Sequence, residues 1–241
     1  LRHMKRSVMQ GMKTLIAVGI LAATLANADE TADKPGAYQR GLTYLANVQN
    51  SDGSWGAGAG DVYTTAFAAL ALLNYGEKPA SPEYGNSLER ALKWLLRQNP
   101  TGQVDRVALI HVLTAAYRMT RVPILGTEAL RRRSTVDANT LTEPSAVLFR
   151  LTLPPDAPFS NRVSTNLALR LFVAQPSGPP PLSDYLHTLG MFVEGGPDWN
   201  EFNKRTIGPL IAGQADDGSF SRADTPSTVE STAFALLRLS V

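Results

Sequence analysis

Two distant stretches of the chain match one another: Gln49-Asn50-Ser51-Asp52-Gly53-Ser54-Trp55 and Gln214-Ala215-Asp216-Asp217-Gly218-Ser219-Phe220. Each precedes an apolar Thr-Ala-Phe-Ala segment, at Thr65 and at Thr232. A partial third copy, Gln98-Asn99-Pro100-Thr101-Gly102, begins 49 residues after the first, and Asp61 and Asp105 stand 44 residues apart. A period of roughly 45 residues is that of a helical-hairpin repeat. A catalytic loop has no reason to recur in every unit, so the stretch reads as a joint between repeats. In it Gln49 and Gln214 close a helix, and Asp52-Gly53 and Asp217-Gly218 turn the chain, with glycine supplying positive φ. Trp55 and Phe220 then lay a ring over the joint. Phe220 lacks an indole N–H, so the position asks for an aromatic plate and not a donor.

The segments between these turns have helical spacing and almost no strand signal. Leu88, Ala91, Leu92, Leu95 and Leu96 form one stripe, with Glu89, Arg90, Lys93 and Arg97 opposite. Leu42, Leu45, Ala46 and Gln49 repeat this pattern, as do Trp199, Phe202, Leu210 and Ile211, where Gly208-Pro209 is expected to kink or split the helix. Residues 64–76, 107–117, 167–174 and 231–241 are instead apolar nearly all round, which requires neighbours on every side. Alternation of the two kinds implies an outer and an inner layer of helices, in about five pairs. N-caps for inner helices are expected at Asp61, Asp105 and Ser160 or Asn161, with a capping-box spacing from Ser227 to Glu230. Gly76 and the proline-rich residues 176–181 should end inner helices. Residues 123–158 repeat poorly, and the boundaries of the helices expected there are left open.

The first 28 residues read differently. Leu1-Arg2-His3 precedes the first methionine and is set aside; then come Met4-Lys5-Arg6, Lys13, an apolar run over residues 15–25 and Ala26-Asn27-Ala28. That is the layout of a cleavable secretory signal, the alternative being an uncleaved anchor. Residues 29–241 would form a single domain in the periplasm or outside the cell, without a stable membrane anchor. The formal charge of the whole chain is +2, but residues 29–241 hold 19 Lys and Arg against 21 Asp and Glu, a formal −2. No basic surface for nucleic acid is expected; Arg131-Arg132-Arg133 reads as a solvated helix end. The chain has no cysteine, which excludes disulfides, thiolate nucleophiles, cysteine-ligated zinc and a lipidated N-terminal cysteine.

Gln-x-x-Asp-Gly-Ser-Trp followed by Thr-Ala-Phe-Ala resembles the prenyltransferase and squalene-oxidase repeat of the terpenoid cyclase and protein prenyltransferase superfamily, in its exported bacterial form. The resemblance covers residues 38–75 and 199–239, and in part 88–117. It implies an α/α toroid, complete or shortened, with inner helices around a central cavity and outer helices around them. In the alkene-protonating cyclases an Asp-x-Asp-Asp-Thr-Ala motif supplies the acid. Here the matching residues are Asp61-Val62-Tyr63-Thr64-Thr65-Ala66, with Tyr63 and Thr64 in place of the central acids. Thr228-Val229-Glu230-Ser231-Thr232-Ala233 offers one carboxylate. The prenyltransferase zinc site needs Asp, Cys and His, so neither a metal nor another cofactor is expected.

Other chemistries find little support. His111 lies inside an apolar helix, where a hydrogen-bonded core histidine is the expected role; His187 has no metal-ligand spacing to any partner. No Gly-x-Ser-x-Gly occurs, and residues 56–61, Gly-Ala-Gly-Ala-Gly-Asp, lack the lysine of a phosphate loop. If the toroid holds, inner-helix starts gather Asp61, Tyr63, Asp105, Arg106, Arg162, Glu230 and Trp55 at one mouth of the cavity. Acids, arginines and rings around an apolar well describe a binding site; the structural alternative is that the acids cap helices and the arginines pair with them. The expected function is an exported binding or interaction protein for an apolar small molecule or an envelope protein or glycan. The alternative is an enzyme acting on an isoprenoid-like or glycan substrate, with Asp61 or Glu230 as its acid.

Overall fold

The computed structural model describes residues 33–57, 61–152, 159–174, 176–178, 180–225 and 227–241, and of 159–164 the backbone alone. Residues 1–28, expected to be an export signal, lie outside them. The described chain is all-α: α1 (Lys34–Asn47), α2 (Val62–Tyr75), α3 (Gly85–Leu96), α4 (Gln103–Thr120), α5 (Pro123–Arg133), α6 (Ser145–Leu151), α7 (Phe159–Ala174), α8 (Pro180–Glu194), α9 (Gly196–Ala212) and α10 (Thr228–Leu239). No helix among the described residues is long and apolar enough to cross a membrane.

Local chemistry sets several boundaries as expected. The Asp61 carboxylate accepts from the Thr64 amide at 2.5 Å, and the Ser227 hydroxyl accepts from the Glu230 amide at 3.2 Å, so both residues satisfy free donors at helix starts. Gly76, at φ 101°, ends α2 in the left-handed conformation. Other expectations are corrected. Asp105 sits within the first turn of α4, whose cap is Gly102. Ser160 and Asn161 lie inside α7, which already begins at Phe159. Gly208-Pro209 does not split α9, which runs through to Ala212. Pro209 is near the helix end, so it forfeits a single backbone bond there.

The proline-rich stretch starts a helix as well as following one: Pro180 and Pro181 open α8, since a first-turn proline gives up an amide that has no intrahelical partner. This changes the assignment of the neighbouring segment. Leu167 and Leu171 on α7 are 55% and 63% exposed, whereas α8 buries Leu182, Tyr185 and Leu186 and packs on α10. The fully enclosed role expected for residues 167–174 therefore does not fit α7, and of the two helices α8 is the one packed on α10.

Helices α2, α4 and α10 carry the core. Every residue from Thr64 to Leu73, from Val107 to Ala116 and from Ser231 to Leu237 is buried. Helix α10 packs on α2, α2 on α4 and α4 on α6, while α8 packs on α10 and α7 touches both α6 and α8. The half-polar helices add one-sided cover: α3 against α2, α5 against α4, α9 against α8 and α10, and α1 against α10 and α2. Each large side chain removed from water in this way contributes about 1.5–3 kcal/mol.

The repeated turns lock successive half-polar helices together. Gln49 Nε2 donates to Gly53 O and to Ser87 O of α3, both at 2.9 Å. Gln214 Nε2 donates to Gly218 O at 2.9 Å and to Ala37 O of α1 at 2.8 Å. Asp52 and Asp217 each accept from the amide two residues on, Ser54 and Ser219. The amides of Trp55 and Phe220 each donate at 2.9 Å to a threonine hydroxyl, Thr65 and Thr232. Gly53 and Gly218 have φ 95° and 87°, and a Cβ at either would strike a backbone carbonyl, of Arg90 or of Arg40. The ring position differs from expectation in one respect: the Trp55 indole N–H donates to Leu45 O at 2.7 Å, so in that copy the donor is used.

The basic run on α5 is also more than a solvated end. Arg131 pairs with Glu128 at the surface. Arg132 donates to Gln98 O at 2.7 Å and Leu96 O at 3.0 Å, satisfying carbonyls at the end of α3. Arg133 donates to Phe149 O at 2.9 Å and to the Thr152 hydroxyl at the end of α6.

Candidate functional site

The starts of α2, α4 and α10 bring together four of the seven residues expected at the mouth. Asp61 caps α2, Tyr63 lies in the first turn of α2, and Asp105 and Glu230 occupy the first turns of α4 and α10. Burial raises the Tyr63 phenol far above its ordinary value, with Glu230, Asp105 and Asp61 adding to the shift in that order. Burial and then the Asp61 charge raise the carboxyl groups of both Asp105 and Glu230. The Tyr63 hydroxyl is buried without a hydrogen-bond partner. Its ring packs edge-on against Phe67, centroids 4.9 Å apart, and tilts against Phe234 at 5.7 Å.

Of the remaining three residues, Arg106 and Trp55 are not part of this group. Arg106 Nη2 donates to Thr135 O at 2.9 Å, beyond the end of α5. Trp55 is fully buried beneath the joint and offers no surface to a ligand. The side chain of Arg162 lies outside the described residues. Among the described residues the arrangement is acidic, three carboxyl groups around a buried phenol, and Arg106 does not pair with them.

Beneath the mouth the rings continue. Phe67 and Phe234 lie 4.5 Å apart at their centroids and Tyr185 lies 6.3 Å from Phe234; all three are 2% exposed or less. Such a floor can shelter a proton on a neighbouring carboxyl group, because burial disfavours the charged form. Among the described residues no cluster of His, Cys, Asp or Glu could hold a metal ion. His111 departs from expectation: it is buried, both ring nitrogens lack partners, and burial followed by the Arg118 charge lowers its pKa to about 3. His187 instead lies half-buried against the Phe202 ring, 5.2 Å between centroids.

A second concavity was not anticipated from the sequence. It has a volume of about 460 Å³ and lies between the end of α4 and α5, with Tyr117, Arg121, Leu130 and Arg133 in its lining. Its one sequence signal is the arginine run on α5. No family model, no curated protein and no solved structure matches this chain.

Proposed function

We propose that this chain is an exported binding or interaction protein built as an α/α toroid of five helix pairs, without cyclase or prenyltransferase chemistry. The packing order α8–α10–α2–α4–α6, with α7 bridging α6 and α8, supports the toroid. So does the Gln214 turn, which fastens the last repeat to α1 as the Gln49 turn fastens α1 to α3. The export part rests on residues 4–28 alone, and predicts that the mature chain begins at Asp29 by N-terminal sequencing.

The observation that carries the reading is the ring cluster beside the carboxyl groups. A cyclase needs an acid poised over an empty apolar well that moulds a polyene; here Tyr63 packs on Phe67 and Phe234, and Tyr185 lies against Phe234. Tyr63 and Thr64 stand where the cyclase acids would be. Incubation of the purified protein with squalene, and with farnesyl diphosphate plus an acceptor peptide, is expected to return both unchanged by mass spectrometry. A cyclised or prenylated product would defeat the proposal.

A second reading, an enzyme using Glu230 or Asp61 on an isoprenoid-like or glycan substrate, draws support from the raised Glu230 carboxyl group beside Asp61. It requires that Glu230→Gln or Asp61→Asn abolish a detectable turnover.

A further inference from the structure

The concavity between α4 and α5 has features that its structural neighbours do not need. Arg121 ends α4 in the left-handed conformation, φ 59°, where glycine or asparagine would be relaxed. It is the one non-glycine residue with positive φ among those described. Its guanidinium lies over the Tyr117 ring, 5.9 Å from the centroid, at the rim of the concavity. Arg133 enters from α5, with its guanidinium 4.0 Å from the centre of the Phe149 ring. Both of its hydrogen bonds go to neutral acceptors, Phe149 O and the Thr152 hydroxyl. Among the described residues neither arginine is paired with a carboxylate, and no Asp or Glu lines the space.

The rest of the wall is apolar. Gly126 allows α5 to approach α4 so closely that a Cβ there would press on the Tyr117 ring, and Ala129 and Leu130 continue the surface. Leu130 and Ile124, on the same helix, remain more than half exposed. Two cations without acidic partners beside an apolar wall, in a volume within the usual range for small ligands, call for an anion with an apolar body. Arginine suits this role because its planar fork grips carboxylate or phosphate oxygens while its face stacks on rings.

We propose that the α4–α5 concavity binds a small anionic amphiphile, its carboxylate or phosphate head held by Arg121 and Arg133 and its apolar body laid against Tyr117 and Leu130. The site is separate from the carboxyl group cluster at the helix starts. The proposal rests on the reading of the chain as a binding protein and names a ligand class for it; turnover of a polyene would defeat that reading, whereas this site stands or falls on binding alone.

Isothermal titration of the full chain with decanoate and decyl phosphate, both below their micelle concentrations, tests it. Decanol lacks the charge, and acetate and inorganic phosphate lack the body. Decanoate or decyl phosphate should bind at least tenfold more tightly than its headless or tailless control. Arg121→Gln, at an exposed position, should weaken that binding tenfold or more without lowering Tm, and Thr127→Trp should block it by filling the space. Arg133 also caps α6, so Arg133→Lys serves in place of a charge deletion and should weaken binding through loss of the fork. The proposal fails if neither amphiphile binds, if decanol binds as tightly as decanoate, or if Arg121→Gln leaves affinity unchanged. It also fails if the protein sediments with phosphatidylglycerol vesicles while the monomeric amphiphiles have no effect, since the ligand would then be a membrane surface.

Discussion

The junction from α1 to α3 and the junction from α3 to α5 solve one problem with different side chains. In the first, Gln49 satisfies carbonyls of its own turn and of α3, and Gly53 lets the backbones touch. In the second the turn supplies no such bridge; Arg132 reaches from α5 to the Gln98 and Leu96 carbonyls. Both joints must provide donors to a helix end that has lost its own. A short amide inside the turn demands close backbone approach, hence glycine and a fixed spacing. A long cation from the neighbouring helix makes no such demand, and the sequence around it is free to drift.

The comparison can be broken by mutation. The largest effect is expected for Trp55→Ala, which removes a fully buried ring and its bond to Leu45 O, a loss of about 4 kcal/mol in urea unfolding. Phe220→Ala should approach it; a negligible cost there would break the equivalence of the two copies. Next come Gly53→Ala and Gly218→Ala, each about 3 kcal/mol from positive φ and collision with a carbonyl. Gly76→Ala has a comparable φ but open space, and should cost only about 1 kcal/mol. If all three cost the same, close approach is not what the joint glycines serve.

Arg132→Ala is expected to cost about 2 kcal/mol and Gln49→Ala about 1 kcal/mol, in line with charged and neutral hydrogen bonds respectively. A silent Arg132→Ala would end the claim that the cation replaces the amide. The smallest effect at neutral pH concerns His111, buried in α4. Its folded pKa is lowered to about 3, so the unfolded chain takes up a proton that the folded one refuses. Its contribution to stability is therefore full above the unfolded pKa and is lost as pH falls, by about 1.4 kcal/mol per pH unit. His111→Leu should flatten that slope between about pH 6.5 and 5 and raise stability by about 1 kcal/mol at neutral pH.

What could be read from the sequence was what local chemistry decides. Asp61 and Ser227 announce helix starts because a short polar side chain there has free amides to meet, and the joint glycines announce themselves by recurrence. The bounds of α5 and α6 were left open and α8 was displaced, because proline marks a beginning as readily as an end; that α8 is a core helix shows only in its buried Leu182, Tyr185 and Leu186 and its packing on α10. At the candidate site, Asp61, Tyr63, Asp105 and Glu230 were legible as residues at the starts of core helices, although Asp105 lies in the first turn and not at the cap. Arg106 was not, since the carbonyl that holds it belongs to Thr135, beyond a helix whose bounds the sequence left open. The α4–α5 concavity was hidden for the same reason: it exists only once two helices are paired.

The Gln214 bond to Ala37 spans 177 residues, and this has a consequence during synthesis. The face of α1 that awaits the last turn leaves the ribosome first and is covered last. At about 5–20 residues per second it stays bare for roughly 10–40 s. Over that interval the nascent chain is a row of hairpins with an uncovered leading edge, able to take the matching turn of a second chain in place of its own. Intermolecular exchange of the final hairpin is thus the misfolding route that this architecture must outpace.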